Sequence, residues 1–205
     1  MLVTEIVPFD KRRSKVILDE DFTLVLYRGD LRRFNIEEGQ PFSEEAYEEL
    51  LHEVLFKRAR ERVLFLLKAS DKTEQELVRK LKDGGYPKEA IDYAVGFLKE
   101  HRFINDENYG RRYVEYNSRR KSEKQIQYEL QRKGIDKEVI REILEEQPVD
   151  EECQIKAYIR KKCRNLAQLE EMDRKERSKL IAALARKGFS YEAVNRILGG
   201  IYDDD

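Results

Sequence analysis

Residues 122–144 read SEKQIQYELQRKGIDKEVIREIL, and the phrase occurs in outline twice more without a gap, as TEQELVRKLKDGGYPKEAIDYAV at 73–95 and ERSKLIAALARKGFSYEAVNRIL at 176–198. Two copies open on the spacing of a capping box, Thr73 with Glu76 and Ser122 with Gln125. There the hydroxyl accepts from a first-turn amide and the side chain three residues on reaches back to the cap's own amide. The third copy has Glu176 at that place, which predicts an earlier start at Asp173. Apolar residues follow four apart, Leu77 and Leu81, Ile126 and Leu130, Leu180 and Leu184. Each copy then reaches Gly85, Gly134 or Gly188, trailed by Tyr86, Ile135 or Phe189. That is the pattern of a helix stop, in which the glycine turns left-handed and the next apolar side chain folds back on the leucine five residues earlier. Pro87, Asp136 and Ser190 suit the start of the next helix. Its buried face reads Ile91, Ala94, Val95 and Leu98, then Val139, Ile140, Ile143 and Leu144, then Val194, Ile197 and Leu198.

Working outward, helical stretches precede each copy at 55–69, 106–118 and 152–168, the second with Asn105 as a cap. The unit is therefore three helices of roughly 45–55 residues, present three times. One such unit buries a marginal core, and stacking in series shares apolar faces between neighbours. Residues 1–41 differ. LVTEIVP, SKVILDED and FTLVLYRG are short β-branched or aromatic runs, with a hairpin turn at LDEDF. Ser43 then caps a helical pattern that runs to Ser70, as one helix or as two with a break near His52. The expected fold is mostly α: three tandem three-helix modules forming an elongated curved body, preceded by a small N-terminal antiparallel β segment. Expected boundaries are 1–41 for the β-rich segment, 42–104 for a helical lead-in and first module, 105–148 for the second module, and 149–205 for the third with an acidic tail.

Composition excludes several classes. The chain has 205 residues, 40% charged and 40% hydrophobic, with 4 Pro and 10 Gly, too apolar and too regularly patterned for a disordered chain. No apolar run approaches the roughly 20 residues that a membrane span needs, and a soluble cytoplasmic monomer is expected. Cys153 and Cys163 are the only cysteines, read as free thiols in a reducing compartment. Chemistry is not in view. There is no phosphate loop of the Gly-x-x-x-x-Gly-Lys-Ser/Thr type and no strand-linked Gly-x-Gly-x-x-Gly. His52 and His101 have no metal-ligand spacing to the cysteines. The carboxylates interleave with Lys and Arg in the pattern of solvated helix faces. The expectation is no catalytic residue, no metal, no cofactor and no enzyme.

A net charge of −1 hides segregation. Residues 111–133 carry eight basic and three acidic side chains, and 153–168 carry five basic and none acidic. The first cluster comprises Arg111, Arg112, Arg119, Arg120, Lys121, Lys124, Arg132 and Lys133, interleaved with Tyr109, Tyr113, Tyr116 and Tyr128. The second comprises Lys156, Arg160, Lys161, Lys162 and Arg164. These cations and Tyr116 are the candidate partner-binding surface, with a solvated helix face as the competing reading. Arg suits carboxylate and phosphate equally through its planar fork, so charge alone leaves protein and nucleic acid open as partners.

The segment FINDENYGRRYVEYNSRRKSEKQIQYELQRKGIDKEVIREIL, residues 103–144, resembles the signature region of the RecX family, bacterial modulators of the RecA recombinase. Ile104-Asn105-Asp106-Glu107 fills the family's opening element, with Asn105 in place of the usual acid. Arg119-Arg120-Lys121 fills its basic linker, and Leu130 to Ile135 its closing element. Three tandem modules match the family's architecture over residues 55–201, and the β segment is similar to extensions on some members. The resemblance implies a role in homologous recombination, DNA repair and the SOS response. It further implies inhibition of RecA by binding along its filament on single-stranded DNA, with effects on ATP hydrolysis, strand exchange and filament growth. Weak direct binding to single- or double-stranded DNA is a secondary expectation. The alternatives are a helical protein that binds nucleic acid directly and a helical scaffold for another protein.

Overall fold

The computed structural model describes residues 1–19, 22–163 and 172–200. The chain forms two compact units that divide at Asn105 and Asp106.

In the first unit, β1 (Val3–Pro8), β2 (Arg13–Leu18) and β3 (Phe22–Tyr27) make an antiparallel meander in the order β1-β2-β3. Val16 and Leu18 of β2 pair with Leu24 and Phe22 of β3, so the alternating pattern puts Val16, Leu18, Leu24 and Leu26 on one buried face. The hairpin turn falls between Leu18 and Phe22, as its sequence predicts; Glu20 and Asp21 lie outside the described residues. A short helix that the sequence did not announce, α1 (Arg28–Arg33), follows β3 directly. Its Asp30 is buried, accepts from the Tyr27 N–H at 2.9 Å, and accepts from both terminal guanidinium nitrogens of Arg58, Nη2 at 2.8 Å. A buried carboxylate persists there because it is paired and hydrogen-bonded.

Ser43 Oγ accepts from the Ala46 N–H at 3.1 Å and opens α2 (Glu44–Leu50). A wide π-type turn, Leu51–Leu55, joins it without a break to α3 (Phe56–Ala69), so both sequence alternatives meet in one continuous helix with an irregularity at His52. The reason lies in the spacing of Tyr47, Leu51, Leu55, Ala59 and Val63, all buried. Steps of four residues drift by about 40° each around an ideal α-helix, and a wide turn takes up part of that drift. α4 (Glu74–Asp83) and α5 (Lys88–Glu100) complete the unit, and a single apolar core runs from Val16, Leu24 and Leu26 of the sheet through Leu55 and Ala59 to Leu77, Leu81 and Leu98.

In the second unit, α6 (Asp106–Asn117), α7 (Glu123–Arg132) and α8 (Lys137–Glu146) enclose Val114, Ile126, Leu130, Ile135, Ile140 and Ile143. α9 (Glu151–Lys162), α10 (Arg174–Arg186) and α11 (Tyr191–Gly200) enclose Ile155, Ile159, Leu180, Leu184, Phe189 and Val194. Two expectations are corrected. α9 ends at Lys162, with Cys163 extended, short of the predicted 152–168, and 164–168 lie outside the described residues. Among the described residues the two apolar clusters are also separate, and polar contacts rather than a shared apolar face join the modules. Ser122 Oγ donates to the Lys187 carbonyl at 2.8 Å, and the Glu123 N–H donates to the Glu151 carboxylate at 2.9 Å. Gly110 in α6 lets the helices approach, since a Cβ there would lie 2.7 Å from Ile143 Cδ1.

The helix stops take the form that the repeated phrase predicts. Gly85, Gly134 and Gly188 have φ of 76°, 87° and 91°. The amides of Tyr86, Ile135 and Phe189 reach back to the carbonyls of Leu81, Leu130 and Leu184 at 3.2, 3.2 and 3.3 Å. The same pair of bonds closes two further ends without glycine, at Asn35 (φ 49°) and Arg102 (φ 54°). Asp173, Asp136 and Ser190 cap as expected, and the full box forms at Thr73 and Glu76. At Ser122 only half of it forms: Oγ accepts from the Gln125 N–H at 3.3 Å, while the hydroxyl proton goes to the next module.

Candidate functional site

The basic linker between α6 and α7 is a hydrogen-bonded turn. The Ser118 amide donates to Val114, and those of Arg120 and Lys121 to Asn117. From the third module, Gln154 Nε2 donates to the carbonyls of both Ser118 and Lys121, at 2.5 and 3.1 Å. The two carbonyls of the linker are thus tied by one amide of α9, which leaves Arg119 and Arg120 exposed on a held backbone. A cleft of about 430 Å³ beside it is lined by Arg119 and by Cys153, Gln154 and Ala157 of α9, so the linker and α9 adjoin.

The predicted cations divide into two kinds. Lys121 is spent internally: its ammonium meets Glu129 at 2.5 Å and the Tyr113 hydroxyl at 2.9 Å, while that hydroxyl donates to the same carboxylate. Burial pushes the Glu129 pKa up and the Lys121 bond pulls it down, with a net fall below the usual value. Arg111 is likewise engaged, with Glu107 at 2.9 Å and with Glu146, whose carboxyl it holds below its ordinary pKa. Lys156 pairs with Glu152 at 2.7 Å, one turn away, and Arg112 Nε donates to the Asn108 carbonyl at 3.3 Å. The second kind projects to solvent: Arg119, Arg120, Lys124 and Arg132 around α7, and Arg160, Lys161 and Lys162 on α9. Arg164 lies outside the described residues.

The interleaved tyrosines have a physical role. Arg120 lies over Tyr116, Arg132 over Tyr128, Lys121 over Tyr113 and Lys133 over Tyr109, at 5.7, 5.8, 5.1 and 5.2 Å from the ring centroids. Such pairs favour the cation electrostatically. Tyr116 and Tyr128 are 73% and 60% exposed, so two of the pairs form surface platforms; Tyr109 and Tyr113 are half-buried against the module core. Sequence reasoning missed Gln154 and Glu151, whose partners lie 28 to 36 residues away and leave no local signal.

Among the described residues no three His, Cys, Asp or Glu side chains gather to hold a metal, and no helix is long and apolar enough to cross a membrane. Burial pushes the Cys163 thiol above its usual pKa, the opposite of what a nucleophile needs.

The three helical modules each match a known domain. Residues 59–98, 105–144 and 150–198 fit the models of the RecX first, second and third three-helix domains. The chain belongs to the RecX family. It is 31% identical over 201 residues to the regulatory protein RecX of Caldanaerobacter subterraneus subsp. tengcongensis, covering 97% of this chain and 98% of that one. To the regulatory protein RecX of Clostridium perfringens strain 13 it is 29% identical over 187 residues, 91% of this chain and 88% of the relative. A crystal structure of a regulatory protein RecX superimposes with a TM-score of 0.61 at 23% identity over 96% of this chain and 98% of that chain. That of RecX from Lactobacillus salivarius gives 0.60 at 24% identity over 72% and 96%. These two show the fold. RecX is thus a family of regulatory proteins, and the N-terminal sheet of this member is continuous with the core of its first module.

Proposed function

We propose that this protein modulates, chiefly by inhibition, the RecA recombinase, by binding RecA filaments on single-stranded DNA in the cytoplasm. Family membership supports the partner. The single structural observation that carries the surface is the linker with exposed Arg119 and Arg120, fixed by Gln154 and flanked by Lys124 and the cations of α9. A ligand alters a filament only through different affinity for its states. Preference for an inactive or strained state slows ATP turnover and strand exchange, and binding at the growing end stops extension.

The test is co-sedimentation with RecA filaments against single-stranded DNA alone, beside an ATPase titration. The double variant Arg119→Glu, Arg120→Glu is expected to fold normally and to weaken filament binding by about tenfold or more, the equivalent of about 1.4 kcal/mol. Lys121 is left untouched, because a glutamate there would face Glu129 and disturb the module itself. No inhibition at saturating protein would defeat the proposal; retained inhibition by the double variant would move the contact away from the linker.

Direct binding to nucleic acid is the second reading, favoured by the exposed Arg120–Tyr116 and Arg132–Tyr128 pairs. Exposed rings beside cations suit stacked bases and phosphates. Binding to DNA without the recombinase would then fall steeply with added salt.

A further inference from the structure

The first unit carries a second cationic site, unrelated to the linker. A cavity of about 450 Å³ opens where the β1–β2 hairpin, α3 and the end of α4 meet. Arg12 and Arg13 enter from the hairpin, Arg62 from α3 and Lys80 from α4. The hairpin is pre-formed: Asp10 Oδ1 accepts from the amides of both Arg12 and Arg13 at 2.8 Å, and its other oxygen holds Arg13 Nε at 2.8 Å. That leaves Asp10 engaged and Arg13 fixed. Arg12, Arg62 and Lys80 make no ion pair with a described residue, and one further acid, Asp83, stands against them. The phenols of Tyr27 and Tyr86 complete the lining. Tyr86 is half-buried, and burial raises the pKa of its phenol, with Arg58, Arg62 and Arg13 opposing the rise only in part, so its hydroxyl keeps its proton and can donate.

A solvated helix face spaces cations and acids one turn apart on a single helix. Here the cations come from three separate elements and converge on one hollow, which is the arrangement that binds an anion. The ligand must be compact. A strand of nucleic acid running through the hollow would bring successive phosphates against Asp10 and Asp83, whereas a terminal di- or triphosphate gathers its charge on the cations.

We propose that this hollow is a binding site for a small polyphosphate, such as pyrophosphate or the phosphate tail of a nucleotide, with Arg12, Arg62 and Lys80 as its grips, Arg13 as a fixed anchor and Tyr86 as a hydroxyl donor. Arg58 stays outside the grip because Asp30 holds it.

The experiment is thermal unfolding of the full chain at constant ionic strength, titrated in separate arms with inorganic pyrophosphate, a nucleoside triphosphate, inorganic phosphate and a single-stranded oligonucleotide. Binding to the native state alone raises Tm in a saturable way. Pyrophosphate and the triphosphate are expected to do so, more strongly than inorganic phosphate. Arg62→Ala with Lys80→Ala, both exposed and outside the core, is expected to keep the Tm of the parent without ligand and to lose affinity by about tenfold for each cation removed. Arg12→Ala reads the hairpin side independently. The proposal is overturned if no polyphosphate gives a saturable shift or if the shift survives in these variants. It is equally overturned if only the oligonucleotide shifts Tm through Arg62 and Lys80, since the hollow would then be a strand contact.

Discussion

The turn at Gly85 and the turn at Gly188 have the same sequence logic, the same left-handed backbone and the same pair of closing hydrogen bonds, yet they meet different neighbours. Gly85 lies against the sheet: its carbonyl accepts from the Val25 N–H at 3.1 Å, and an added Cβ would come 2.1 Å from Val25 Cγ2. Gly188 lies against the second module, where an added Cβ would come 2.4 Å from Ser122 Oγ, and the Lys187 carbonyl beside it accepts a hydrogen bond from that serine hydroxyl. One turn is pressed on the half-buried Val25 of the edge strand β3, on the face away from Leu24 and Leu26, the other on a polar helix start between two separate cores. Glycine serves twice in each place, once for the backbone and once for the room. The stop at Arg102, whose side chain is exposed, shows the backbone need alone, since an arginine tolerates it.

The largest effect is expected from Gly85→Ala. The left-handed penalty of roughly 1–2 kcal/mol adds to overpacking of roughly 1–3 kcal/mol against a β-branched side chain with little freedom. Urea unfolding of the first unit should show a loss of about 3 kcal/mol; a loss confined to the backbone term would mean that the strand gives way. Gly188→Ala comes next, at roughly 2 kcal/mol, made of the same penalty and one hydrogen bond of about 1 kcal/mol. A double-mutant cycle with Ser122→Ala separates the two, because the second substitution removes the crowding atom and the bond together. Additive losses would break the comparison. Gly134→Ala carries the left-handed penalty, roughly 1–2 kcal/mol, and an unchanged melting temperature would contradict its role as a stop.

Glu151 sharpens the polar side of the comparison. Burial raises its pKa, and the Glu123 amide opposes this only in part. Its ionised form is therefore disfavoured in the fold. The unfolded chain gives up this proton first, near 4.5, so as pH rises from there through the higher folded value, stability falls and then levels. Glu151→Gln, which keeps an acceptor for the Glu123 amide, should lack that fall. Paired unfolding curves at pH 4 and pH 7 check it, and a parallel pH dependence in parent and variant would refute it. The smallest effect is a gain: Arg102→Gly should stabilise by about 0.5–1 kcal/mol by removing a β-carbon from the left-handed region, read as a rise in Tm.

What the sequence made legible is what is local. Caps act over two or three residues and helix stops over five, so Asp136, Asp173, Ser190 and the three glycine turns could be placed from spacing alone. The buried faces of α5 and α11 followed from periodicity in the same way, while Val139 in α8 stays only half-buried. What stayed hidden joins distant positions. Asp30 and Arg58 are 28 residues apart, Gln154 and Ser118 are 36, and Ser122 and Lys187 are 65. In sequence each of these is one polar residue among many. The candidate surface divides by the same rule. A run of cations announces charge but not which members are already committed, and Lys121 is neutralised by a glutamate eight residues ahead.

The amide of Gln154 has a consequence for deletion mapping. A chain shortened before α9 would shed the exposed cations of the third module, Arg160, Lys161 and Lys162 among them, and, with them, the clasp that shapes the preceding loop. A truncated protein that no longer engages its partner would therefore implicate the removed helix even if every contact had been made by Arg119 and Arg120. Replacing Gln154 with alanine in the intact chain separates the two contributions, since it unfastens the loop while all the charges stay in place.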